Sequence, residues 1–169
     1  TGVPGRDEPA FFDVDTRLNS KEDADIDGWE VAWQHDIGDT GFGFIANATF
    51  VDGTATFNNR SDEPQFALPG LSDTRNFIGY YDKHGIQVRV AYNWRDEFFT
   101  GGTTQPSYTE EYEQWDVNAS YELTDGLTIF VEGLNVTDET RRTFARNKLQ
   151  VTAVQQTGAR YNFGFRYLF

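Results

Sequence analysis

Ten residues, Arg160-Tyr161-Asn162-Phe163-Gly164-Phe165-Arg166-Tyr167-Leu168-Phe169, alternate rings with polar or small groups almost without a break. Tyr161, Phe163, Phe165, Tyr167 and Phe169 share one parity; Arg160, Asn162, Gly164 and Arg166 share the other, with Leu168 the exception. Successive side chains of a strand point to opposite faces, so this stretch predicts a strand with one ring-bearing side and one ionic side. Moving towards the N-terminus, the pattern repeats. Trp115, Val117, Ala119, Tyr121 and Leu123 alternate with Asp116, Asn118, Ser120 and Glu122, and Ile86, Val88, Val90, Tyr92 and Trp94 with Gln87, Arg89, Ala91, Asn93 and Arg95. Trp29, Val31, Trp33 and Ile37 oppose Glu30, Gln34 and Asp36. Between 127 and 134, Leu127, Ile129 and Val131 alternate with Thr128 and Glu132, while Phe130 and Leu134 break the rule. Asn76-Phe77-Ile78-Gly79-Tyr80-Tyr81 is apolar on both parities, which leaves its faces unassigned.

These windows predict eight strands, near 11–18, 27–37, 42–52, 74–82, 86–95, 113–123, 127–135 and 158–169. The connections alternate in length. They are long at 19–26, 53–73, 96–112 and 136–157, and short at Gly38-Asp39-Thr40-Gly41, Lys83-His84-Gly85 and Thr124-Asp125-Gly126. The short ones carry the Gly and Asp that hairpin turns require. In an up-and-down meander, alternate connections emerge at opposite ends, so every long loop shares one end and every tight turn the other. Outer-membrane barrels have this asymmetry.

Composition narrows the function classes. The chain has 169 residues, with 14 basic and 27 acidic side chains and a net charge of −13. Such a balance repels a polyanion and argues against a nucleic-acid partner. The 27 aromatic residues (4 Trp, 8 Tyr, 15 Phe) are far more than a solvated disordered chain carries, so other protein or lipid must cover them. Cysteine is absent, which excludes disulfides, thiolate metal sites and cysteine nucleophiles. No apolar run approaches the roughly 18 residues of a spanning helix, and Thr1-Gly2-Val3-Pro4-Gly5 has no secretion-signal character, so the chain is expected to have lost a signal or to be a piece of a longer one.

A water-soluble sandwich with one buried face would show the same alternation. Three features favour a membrane. Strands near ten residues suit a tilted crossing of hydrocarbon. Trp29, Trp94, Trp115, Tyr121, Tyr161 and Tyr167 recur at strand ends, where aromatic girdles meet headgroups. The ring stripe also runs up to the terminal carboxylate. Arg89, Asp116, Glu122, Glu132, Arg160 and Arg166, with Arg95, then become charges facing a lumen.

The ordered set Ile26-Asp27-Gly28-Trp29-Glu30-Val31, Leu68-Pro69-Gly70-Leu71-Ser72, Val88-Arg89-Val90-Ala91-Tyr92-Asn93-Trp94-Arg95-Asp96-Glu97, Asp116-Val117-Asn118-Ala119-Ser120-Tyr121, Glu132-Gly133-Leu134-Asn135-Val136-Thr137-Asp138-Glu139 and Gly158-Ala159-Arg160-Tyr161 resembles the TonB-dependent receptors of Gram-negative outer membranes. The likeness is to the subgroup common in xanthomonads and caulobacters and covers nearly the whole chain. It implies an all-β, antiparallel up-and-down transmembrane barrel. Residues 1–169 would be the C-terminal part, roughly the last eight strands of a barrel of about 22, with the plug domain lying outside this chain. The implied function is energised uptake of a scarce large ligand, an oligosaccharide in preference to an iron chelate. The implied partners are outer-membrane lipid, an inner-membrane energy-transducing complex acting through an absent N-terminal region, and the outer-membrane assembly machinery. Gly164, Tyr167 and Phe169 resemble the signal which that machinery reads. A complete eight-stranded barrel of structural or adhesive type is the alternative, and a soluble carbohydrate-binding β-sandwich the third.

No catalytic constellation, cofactor site or metal site is expected. His35 and His84 are far apart along the chain and lack a catalytic neighbour, and Gly41-Phe42-Gly43 and Gly101-Gly102 lack the strand-to-helix context of a phosphate cradle. The acidic runs Glu22–Asp27 and Glu110–Glu113 offer oxygen ligands for calcium but lack a dedicated loop, so they read as solvated charge. Three Asn-x-Ser/Thr triplets, at Asn47, Asn118 and Asn135, are discounted as glycosylation sites because two lie in predicted strands. Candidate ligand contacts are Arg95, Asp96, Phe98, Phe99, Tyr108 and Tyr112, which mix rings with polar groups, and Arg141 and Arg142, which suit an anion. Phe57-Asn58-Asn59-Arg60 and Arg146 join them; packing of loops over a barrel mouth is the competing role for each.

Overall fold

The computed structural model describes residues 23–169. Among the described residues the chain is all-β, with eleven strands in chain order: β1 (Ile26–Asp36), β2 (Phe42–Gly53), β3 (Thr74–Lys83), β4 (Ile86–Arg95), β5 (Phe98–Gly101), β6 (Ser107–Thr109), β7 (Tyr112–Thr124), β8 (Leu127–Leu134), β9 (Thr140–Phe144), β10 (Val151–Gln156) and β11 (Arg160–Tyr167). They form two antiparallel sheets. One has seven strands in the order β1-β2-β3-β4-β7-β8-β11, the other four in the order β10-β9-β6-β5. The strands of the seven-stranded sheet match seven of the eight predicted segments to within about two residues; the eighth, 11–18, lies outside the described residues.

The long connections 96–112 and 136–157 are corrected: each contains two strands. β5 pairs with β6 through Phe98↔Thr109 and Phe99↔Tyr108, β6 with β9 through Tyr108↔Phe144, and β9 with β10 through Arg142↔Val154. These strands form because loops distant in sequence supply each other's ladder partners, which local alternation cannot reveal.

Register assigns the faces of the seven-stranded sheet. Trp33 lies opposite Ala46, Ala46 opposite Phe77, and Phe77 opposite Tyr92; Tyr92 faces Trp115. Val131 lies between Ala119 and Phe163. Phe77, Gly79 and Tyr81 therefore belong to the ring-bearing face, and Asn76, Ile78, Tyr80 and Asp82 to the polar one. Phe130, which broke the alternation, does sit on the polar face. Its partner there is Gly164, where a Cβ would come within 2.7 Å of the Phe130 ring, so the glycine makes room for the ring.

The tight turns gather at one end. His84 and Gly85, with φ of 56° and 73°, form the two-residue left-handed turn that matches strand twist. Leu168 N–H donates to the Gly126 carbonyl at 2.8 Å, so the C-terminal strand finishes beside a tight turn. The long connections lie at the other end. β1 and β11 are the edges of the sheet.

Burial divides unevenly. Apart from the glycines Gly43 and Gly133 in the larger sheet, the buried residues are Pro106, Thr109, Phe144 and Ala145, in or beside the four-stranded sheet, and Asn135 just after β8. The ring-bearing face of the seven-stranded sheet has no covering layer among the described residues. Trp33, Phe163 and Phe165 are exposed, and Val90 and Val117 are half-buried. No strand of the smaller sheet packs against either face of the larger one; the element contacts follow the ladders.

Candidate ligand-binding surface

Two surfaces carry the polar chemistry. The first is the polar face of the seven-stranded sheet. Arg89, Asp116, Glu122, Glu132, Arg160 and Arg166 all fall on it by register, opposite Asn118, Ala91, Thr128, Asn162, Leu134 and Thr128 respectively. Neighbouring strands trade hydrogen bonds across it. Asn76 Nδ2 donates to Asn47 Oδ1 at 2.7 Å, Gln87 Nε2 to Asp82 Oδ2 at 3.2 Å, and Asn118 Nδ2 to Glu132 Oε1 at 3.3 Å. The Tyr80 hydroxyl donates to Asp36 Oδ1. Near the tight turns a polar hollow of about 580 Å³ is lined by Asp82, Gln87, Asn118, Glu122, Glu132 and Arg166. The hydroxyls of Ser120 and Thr128 join these carboxylates, amides and one guanidinium, a set that accepts and donates hydrogen bonds.

The second surface is the loop end, where the candidate contact residues lie. A run of rings, Phe57, Phe99, Tyr108 and Phe144, passes from the 54–73 connection through β5 and β6 to β9, with centroids 5.5, 5.5 and 5.2 Å apart. Aromatic pairs at this separation attract beyond their area burial. Arg95 lays its guanidinium 3.7 Å from the Phe98 centroid and donates to the Gly70 carbonyl at 2.9 Å. Asp96 accepts from the Glu97 N–H at 2.7 Å, and Arg141 lies over the Tyr112 ring at 5.1 Å. Arg142 pairs with Glu110 at 3.1 Å. Thus Arg95, Arg141 and Arg142 each reach another segment, whereas the Asp96 side chain bonds within its own loop. A mixed hollow of about 330 Å³ between Leu68, Leu71, Glu97, Phe98, Phe99 and Tyr108 is the space they leave.

Two residues organise this end: Arg146, a candidate contact in the sequence, and Asn135, which carried no functional weight there. Arg146 donates to the carbonyls of Asn59, Ser61 and Thr104 at 2.8–2.9 Å and pairs with Asp62 at 2.9 Å, joining three loops. Asn135, buried with φ of 52°, accepts from the Glu139 N–H at 2.9 Å and donates to its carbonyl at 3.0 Å; its own N–H reaches Asp116 Oδ1 at 2.9 Å. An asparagine tolerates this backbone better than most residues, which is the one signal the sequence held. Its burial also removes it as a sugar-attachment site. Lys148 pairs with Glu97 at 2.8 Å, and that bond holds the ammonium above its ordinary range. The three ion pairs among the described residues therefore all run from the 140–156 hairpin to earlier loops.

Gly164 lies under Phe130, while Tyr167 and Phe169 are exposed with ring centroids 6.5 Å apart. His35 sits against Trp33 and Phe44 on the ring-bearing face, and His84 occupies its turn. Among the described residues no three His, Asp or Glu side chains converge as ligands for a metal. No protein-family model, curated protein or solved structure matches the chain.

Proposed function

We propose that this chain forms part of the wall and external loops of an outer-membrane transport barrel of the TonB-dependent receptor type, taking up a large polar ligand such as an oligosaccharide. The observation that carries this reading is the uncovered ring-bearing face. Phe163 is 89% exposed and Phe165 72%, on a sheet whose other face is polar. In water a contiguous apolar patch of this kind is a liability. In hydrocarbon it is the expected exterior. Trp29, Trp94, Trp115 and Tyr161 lie towards the loop end of that face and Tyr81, Tyr121 and Tyr167 towards the turn end, the two levels at which headgroups would meet it. The polar face then lines the passage, and its amides and carboxylates suit a hydroxyl-rich cargo better than an apolar one. Energy coupling rests on the family resemblance alone.

Membrane fractionation tests the reading. The protein is expected in the outer-membrane fraction, extractable with detergent and carried on a polypeptide long enough to include a plug. Recovery as a soluble monodisperse species without detergent would overturn it.

A further inference from the structure

β8 and β11 are neighbours in the sheet but lie far apart in the chain. A hairpin takes its register from its turn, and β1–β2, β3–β4 and β7–β8 each have a tight one, at 37–41, 84–85 and 125–126. The β8–β11 ladder has the connection 135–159 instead, and β2–β3 the connection 54–73. Connections of that length leave the strands free to slide past one another. The hydrophobic pattern does not stop them. A one-residue slip would turn every side chain to the wrong face, but a two-residue slip keeps the faces as they are. The ring-bearing side of β11 carries Tyr161, Phe163, Phe165 and Tyr167 one after another, so a slip of two exchanges one ring for the next.

Glycines remove this degeneracy. Gly43 lies opposite Tyr80, Gly133 opposite Tyr161 and Gly164 opposite Phe130, and a Cβ on any of the three would run into the ring of its ladder partner. The approach would be 2.7 Å to the Phe130 ring and 3.2 Å to the Tyr161 ring. All three pairs fall in the β2–β3 and β8–β11 ladders, and none in a ladder closed by a tight turn. The remaining ladder with a long connection, β4–β7, has no glycine in either strand; there Tyr92 packs on Trp115 with ring centroids 4.8 Å apart. In the β8–β11 ladder the seats are reciprocal. β8 supplies Phe130 and Gly133, β11 supplies Gly164 and Tyr161, and the two rings lie on opposite faces of the sheet. Sliding β11 by two residues would set Phe130 against Asn162 or Arg166, and Tyr161 against Val131 or beyond the end of β8. Of these three alignments, the observed one alone seats both rings.

We propose that the ring-on-glycine pairs are register keys, which select the strand alignment where the connection is too long to do so. Gly164 then acts by seating Phe130, whatever else the C-terminal strand offers to an assembly machinery. A ring laid over a cross-strand glycine covers backbone that would otherwise lack a packing partner, and so favours one alignment over its neighbours. The keys belong to the sheet itself and do not depend on transport, so this inference and the transport reading can fail separately.

Disulfide trapping in the full polypeptide, in intact cells, reads the alignment. These 169 residues contain no cysteine. Ile129→Cys with Phe165→Cys joins partners of the observed register, whereas Ile129→Cys with Phe163→Cys or with Tyr167→Cys joins partners of the two slipped ones. Oxidation is expected to link the first pair and leave the other two at background. Adding Phe130→Ala, which removes one ring and keeps both glycines, should raise the slipped products by up to about fivefold, the ceiling for one cross-strand pair. Gly164→Val, which fills the seat, should lower the yield of the 129–165 product, and Phe130→Ala in the same chain should restore it. Slipped products that stay at background with Phe130→Ala would overturn the keys. A Gly164→Val defect that Phe130→Ala leaves untouched would overturn them too, and would assign the glycine to recognition by the assembly machinery alone.

Discussion

Phe144 and Phe163 are both strand phenylalanines, yet one is 3% exposed and the other 89%. Phe144 stacks on Tyr108 beside Pro106, Thr109 and Ala145, so the loop sheet buries its own small core. Phe163 lies beside Val131 in a ladder whose ring-bearing side has no second sheet over it among the described residues. One region gains apolar burial from its own chain; the other must gain it from surroundings. Fully burying a Phe or Leu side chain is worth about 1.5–3 kcal/mol. A sheet with this many rings therefore has its stability set by the solvent around it.

The largest effect should come from changing that solvent. Removing detergent is expected to collapse the seven-stranded sheet into aggregate, seen as loss of monodispersity by light scattering and a changed far-UV dichroism spectrum. A sheet that stays monomeric and folded in plain buffer would break the contrast outright. The next effect belongs to the other region. Phe144→Ala should cost about 3–5 kcal/mol, exposing the β9–β10 hairpin to protease while the wall keeps its protection. If both regions become labile together, they are one cooperative unit and the division is wrong.

A substitution within the wall sharpens the contrast between its faces. Val131→Arg places a cation on the ring-bearing side at mid-strand and should cost about 2–4 kcal/mol in a bilayer. Ser120→Arg, on the polar side of the adjacent strand, should stay within roughly 0.5 kcal/mol. Denaturant titration in lipid vesicles measures both. Equal penalties would mean that neither face meets hydrocarbon.

How much of this was visible beforehand follows from where each residue finds its partner. The wall strands were legible because alternation is local. Val117, Ala119 and Tyr121 declare a face without reference to any other segment, and His84-Gly85 declares a turn. Phe130 looked anomalous because its explanation, Gly164, lies 34 residues away. β5, β6, β9 and β10 were missed for a related reason. β6 is three residues long and becomes a strand through Phe99 and Phe144 on either side of Tyr108. The candidate contacts were legible as chemical groups, but Arg142 could not announce Glu110, nor Arg146 the carbonyls of Asn59 and Thr104.

The smallest expected effect is on the ion pair that ties the hairpin to the loop below. Lys148 donates towards Glu97, and that hydrogen bond, with the attraction of the carboxylate, raises the lysine above its ordinary value. A group whose folded value is raised contributes stability in full below its unfolded value, near 10.4, and loses it as pH climbs through the folded one. Lys148→Met keeps most of the stem and removes the charge. The wild-type chain should therefore hold its loop sheet slightly more firmly than the variant at pH 8–9, and the gap should close above the raised lysine value. Because the Lys148 side chain is largely exposed, added salt should shrink the same gap at neutral pH. Limited proteolysis of the 140–156 hairpin at stepped pH reads it directly. A gap that widens with alkali would mean that the Glu97 pairing does not hold the hairpin, and that Phe144 and Arg146 anchor it without help.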